Sequence, residues 1–128
     1  MRAILAALIV CLTLNAASAG QHGNLPAPCR QAARLGGPCG CWASIHFFGR
    51  SVRELWPVSA WLLFPRTSPR PGVAAIWPGR HVAPVVPPVV ADSGKGTVTV
   101  ADSWGTHRVS TRGLIFVDPY GARRFSSL

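Results

Sequence analysis

The sequence predicts an α+β domain in which short N-terminal helices pack on a small antiparallel sheet. Two observations carry that expectation. Apolar residues keep a helical spacing up to about Phe64 and an extended one after Pro71. The later half is also cut into short apolar runs by Pro71-Gly72, Pro78-Gly79 and Gly94-Lys95-Gly96, the punctuation that antiparallel strands require.

Element by element, residues 21–28 read as a polar, proline-punctuated lead. Residues 29–35 form at most a helical turn or two before Gly36-Gly37 stops them. Residues 39–48 read as a short helix: Pro38 suits its start, Gly49 its end, and Ile45 and Phe48 face a core. Ser51-Val52-Arg53-Glu54 has the capping-box pattern, and Pro57 limits the helical stretch after it to a turn or two. A further helical turn over residues 60–64 ends at Pro65. Strands then come at 73–77, at 81–86 and at 97–100, where Thr97-Val98-Thr99-Val100 alternates strictly. Val109 and residues 114–117 supply one or two more. Pro84 lacks a ladder donor, which predicts an edge position or a bulge for its strand.

The N-terminus reads as an export signal: Arg2, an apolar run from Ile4 to Leu14, and small residues Ala17-Ser18-Ala19 before Gly20. Cys11 lies within that run and is lost with it. The run is too short to span a bilayer, and Pro or Arg interrupts every later apolar stretch, so no transmembrane segment is expected in the mature chain. Residues 20–128 suffice for one small domain. Five tryptophans then read as bulk for a thin core rather than as a sugar platform. The whole chain carries 13 Lys/Arg against 4 Asp/Glu; without Arg2 the mature charge is +8. Such a protein is drawn to anionic surfaces such as cell wall, lipopolysaccharide or acidic glycans. Export and the lack of a long basic arm argue against nucleic acid.

Three cysteines come after the signal: Cys29, Cys39 and Cys41. An odd number in an oxidising compartment leaves one thiol over. If Cys29 bridges Cys41, the free thiol is Cys39; if it bridges Cys39, the free thiol is Cys41. The spacing Cys39-Gly40-Cys41 does not fit a redox pair, and His22 and His107 lack partners at metal-ligand spacing, so neither a cofactor nor a metal is expected. Cys39 opens the predicted helix and His81 opens a strand after a Pro-Gly turn. A thiol at a helix N-terminus beside an imidazolium is favoured as thiolate, which makes this pair the candidate nucleophile and base.

The order of these motifs resembles the cysteine, histidine-dependent amidohydrolase/peptidase (CHAP) family and its small secreted papain-like relatives. Gly37-Pro38-Cys39-Gly40-Cys41-Trp42-Ala43 is similar to the family's nucleophile motif, with an aromatic and a small residue three and four positions past Cys39. Pro71-Gly72 with Val73 to Trp77 resembles the strand before the catalytic histidine, and His81-Val82 matches that histidine. Ala101-Asp102-Ser103-Trp104-Gly105 falls where the family places the residue that orients the imidazole. The similarity covers about residues 37–117, and it implies a papain-like fold over residues 37–128, after a signal peptide at 1–19 and a loosely ordered segment at 20–36. This chain departs from the family at Val73, where Asp is usual, and at the orienting residue, where Asp102 or Ser103 replaces Asn or Glu.

The resemblance implies a Cys39 thiolate attacking an amide carbonyl, His81 as acid and base, and Asp102 fixing its tautomer. The Cys39 N–H at the helix start would contribute to an oxyanion hole. Peptidoglycan is then the expected partner, as substrate or as anionic surface. The rival expectation is a non-enzymatic envelope or wall-binding protein on the same scaffold, its cysteines held in a disulfide.

Overall fold

The computed structural model describes residues 24–88 and 96–124. The element order is helix α1 (Ala27–Arg34), helix α2 (Pro38–Phe48), 3-10 turns at Arg53–Leu55 and Val58–Leu63, and strands β1 (Ala74–Trp77), β2 (His81–Val86), β3 (Thr97–Asp102), β4 (Gly105–Ser110) and β5 (Ile115–Val117). The strands form one antiparallel sheet in the order β4-β3-β2-β1-β5. Short helices beside an antiparallel sheet make the chain α+β, as its periodicity predicts. The signal read at 1–19 lies outside the described residues, as do residues 20–23. Among those described, no helix is long and apolar enough to cross a membrane.

Helix α2 lies between α1 and the sheet. Proline at its first position costs no hydrogen bond, because the first N–H groups of a helix have no intrahelical acceptor. Gly49 ends it in the left-handed region at φ 73°, and its N–H donates to the Ile45 carbonyl at 2.8 Å. Ala43 and Phe47 point into the main core with Leu55, Trp61, Phe64, Ile76, Val82 and Val117. Cys41 points the other way, into a small cluster with Cys29, Ala32 and Trp56. Both faces of α2 are therefore covered.

The lead is more ordered than its composition suggests. Residues 27–34 are helical, Cys29 and Ala32 are fully buried, and a Cys29–Cys41 disulfide ties α1 to α2. Closing a loop of this length stabilises a fold by about 3 kcal/mol, which offsets the poor propensity of a proline-flanked eight-residue helix. The Asn24 N–H also donates to the Ser103 carbonyl at 2.9 Å. Ser51 does not cap a helix. It bonds the Trp56 indole N–H at 3.0 Å and lies 3.2 Å from the Cys41 sulfur.

The turn at Arg53–Leu55 presses its backbone onto the start of α2. A Cβ at Gly40 would overlap the Leu55 and Trp56 carbonyl oxygens, and one at Gly37 would lie 2.8 Å from the Trp56 Cβ. Glycine at these positions permits that approach. Gly40→Ala should lower stability by about 2–3 kcal/mol, read as a drop in denaturant midpoint, because rigid backbone rather than a mobile side chain blocks the methyl.

Pro84 corrects an expectation. Its strand is neither an edge nor bulged: β2 is the central strand, with β1 on one side and β3 on the other. The Val85 N–H donates to Val73 at 2.8 Å on the β1 side, so by alternation the Pro84 nitrogen faces β3. Pairing with β3 is confined to Val85↔Val100 and Val86↔Thr99. The missing donor falls where the ladder has ended, and strands β2 and β3 part towards His81 and Asp102.

Candidate active site

Alternation along the strands decides which side chains meet. Ala83 and Val85 of β2 and Val98 and Val100 of β3 belong to the core on the sheet face away from α2. His81 and Asp102 continue those two rows by steps of two, so both stand on that face at its open end. Extending the Val85↔Val100 register would set Asp102 opposite Ala83, diagonal to His81. Helix α2 brings Cys39 to the same end from the other side, in its first turn.

The three predicted residues come together in a chain. His81 Nδ1 lies 2.8 Å from Cys39 Sγ, and His81 Nε2 lies 3.4 Å from Asp102 Oδ2. Cys39 is a free thiol, since Cys29 and Cys41 are bonded to each other, which settles the pairing the sequence left open. Among the described residues Ser103 makes no hydrogen bond to the imidazole, and Asp102 takes the orienting position. Its other oxygen, Oδ1, accepts the Trp104 backbone N–H at 2.8 Å and lies 3.2 Å from His107 Nε2. The carboxylate is therefore fixed by the Ser103-Trp104 turn and shared between two histidines.

These contacts set the proton inventory. With the ring neutral, Nε2–H donates to Asp102, leaving Nδ1 to accept from the thiol. Burial pushes the Cys39 thiol above its ordinary value, and the Asp102 charge pushes it further. The N–H groups of Cys39 and Val82, aimed at the sulfur, pull the other way with less effect. Burial also lowers His81, against the opposing pull of Asp102; the neighbouring His107 adds to the lowering. Desolvation therefore works against both charged forms, opposing the thiolate that a helix start and a neighbouring imidazolium favour.

A cleft of about 160 Å³ opens over the sulfur, lined by Pro38, Cys39, Trp42, His81, Asp102 and Trp104 among others. Trp104 is 55% exposed at its rim. Trp61 and Trp56 are core bulk as expected, buried with their indole N–H groups bonded to Leu55 and to Ser51. Trp42 and Trp104 instead wall the cleft. His107 was missed for lack of metal-ligand spacing, yet its signal lies in the hairpin. A two-residue turn pairs Asp102 with Gly105 and Val100 with His107, which places His107 diagonal to Asp102 on one face. Among the described residues no group of three His, Cys, Asp or Glu side chains is arranged to hold a metal ion. Compared with family profiles, curated proteins and solved structures, the chain matches none.

Proposed function

We propose that this chain is an exported cysteine amidase or endopeptidase of CHAP-like, papain-like type that cuts amide bonds of peptidoglycan. One observation carries the reading: a free thiol, an imidazole and a carboxylate stand in line, with the imidazole tautomer set by the carboxylate. The cleft above the sulfur gives a carbonyl room to approach. The excess of Lys and Arg favours an anionic polymer as the surface on which the protein works.

The proton positions dictate the chemistry. As the Cys39 sulfur attacks the amide carbonyl, its proton passes to His81 Nδ1, and the Asp102 charge stabilises the imidazolium that forms. As the sulfur gives up its charge to the new C–S bond, the Cys39 N–H in the first turn of α2 is released from it and can turn to the developing oxyanion. Collapse breaks the C–N bond, the Nδ1 proton goes to the leaving amine, and a thioester remains on Cys39. Water, deprotonated by the same nitrogen, then releases the acid and restores the thiol.

The test is amine release from purified peptidoglycan as a function of pH. His81 must be neutral to take the proton, and its depressed value keeps it neutral to below its ordinary 6.5, so the acid limb falls below that pH. Cys39 must hold a proton to pass on, and its raised value puts the alkaline limb above 9.0. A plateau across the neutral range is the expected profile. An alkaline limb well below 9.0 would instead mark a thiolate–imidazolium pair, and adsorption without amine release would leave a wall-binding protein.

A further inference from the structure

We propose that a second groove beside the cleft is a subsite for a carboxylate-bearing residue of the peptide being cut. The inference rests on the hydrolase reading and names which peptides that site prefers. The groove, of about 490 Å³, is lined by Leu35, Gly37, Arg53, Trp56, Val58 and Arg80 among others. That volume holds one or two residues of an extended peptide.

Its position links it to the sulfur. Gly36 and Gly37 line the groove, and Pro38 and Cys39, next in the chain, line the cleft. Gly79 and Arg80 line the groove, and His81 lines the cleft. Consecutive Cα atoms are about 3.8 Å apart, so a peptide seated at Cys39 reaches the groove within about two residues.

Charge identifies the occupant. Arg53 and Arg80 both face this groove, and among the described residues neither pairs with a carboxylate; the ion pairs there are those of Asp102 with His81 and His107. The Arg53 guanidinium stands 5.4 Å from the centre of the Trp56 ring. A guanidinium held over an aromatic ring by cation–π attraction keeps N–H groups that can meet a carboxylate. Trp56, Pro57, Val58 and Leu35, the last 64% exposed, line the same groove. Two cationic forks and apolar side chains in one groove suit an acidic side chain, whose methylene carbons meet the apolar residues and whose carboxylate meets the guanidinium groups. A phosphate or nucleic-acid backbone would leave the apolar residues unused.

The experiment separates this subsite from the hydrolase reading by using binding rather than turnover. Full-length Cys39→Ala protein is titrated by calorimetry with acetyl-Ala-Glu-Ala-amide and with its Gln counterpart, the central residue in either configuration. The Glu peptide should bind at least about tenfold more tightly, and in Arg53→Gln/Arg80→Gln protein the Glu-to-Gln affinity ratio should fall to about one. Both arginines are exposed, so these variants should fold, which thermal melting checks. An affinity ratio near one before the arginines are changed, a ratio that survives their replacement, or no binding of either peptide would overturn the subsite. A Glu preference that depends on the arginines, in a protein that releases no amine from peptidoglycan, keeps the subsite and removes the hydrolase. Amine release by the wild-type protein with no Glu preference does the reverse.

Discussion

Cys39→Ala protein should fold as the wild type does and release no amine from peptidoglycan. Cys29 and Cys41 are consumed in a disulfide, so Cys39 is the free nucleophilic thiol among the described residues. Nothing else in the cleft can replace it. Ser103 lines the same space but is not bonded to His81, and a hydroxyl without a base is a poor nucleophile at neutral pH. Loss of covalent catalysis should lower the rate by at least about 10⁴-fold. Stability should change by less than about 1 kcal/mol, because Cys39 is only half-buried and alanine suits a helix start. Thermal melting beside the amine assay distinguishes a lost nucleophile from a lost fold.

Asp102→Asn is the second large expected effect, and it has two readouts. The carboxylate makes His81 Nε2 a donor and keeps Nδ1 open towards the thiol. An amide that turns its NH₂ to Nε2 reverses this, so Nδ1 carries the proton and cannot take another. The rate of amine release should fall roughly a thousandfold. The same substitution removes a negative charge that raises the Cys39 thiol. Alkylation of Cys39 near neutral pH should therefore become faster as hydrolysis becomes slower. A merely structural role for Asp102 would slow hydrolysis without speeding alkylation.

The parts of this site that were legible in the sequence are those fixed by local rules. Pro38 marks a helix start and Gly49 its end, so Cys39 had to sit in a first turn. Pro78-Gly79 forces a turn, so His81 had to open a strand. Alternation in Thr97-Val98-Thr99-Val100 runs on to Asp102 and places it on the His81 face. The features beyond the reach of local rules depend on pairing and burial. The order of α1 comes from a disulfide and from packing against Trp56, not from propensity. Pro84 looked like an edge signal because a proline is usually judged against both neighbouring ladders, whereas here its nitrogen faces the gap where one of them stops. His107 becomes visible only once the hairpin register is known. The upward push on the Cys39 thiol and the downward push on His81 arise first from desolvation, which a motif does not encode. Arg53 and Arg80 lie 27 positions apart and share a groove only through tertiary packing, with the Val58–Leu63 turn set against β1 and β2.

The measurement that bears most directly on the central claim is new amino groups released from purified peptidoglycan by the wild-type protein at neutral pH, with mass spectrometry of the soluble fragments. A Cys39–His81–Asp102 hydrolase should give a time-dependent rise in free amine and fragments whose masses differ from the intact stem by hydrolysis of one amide bond. Protein with Cys39 alkylated beforehand should produce neither. An unchanged amine content, with Cys39 shown by thiol titration to be free and the protein bound to the polymer, would contradict it.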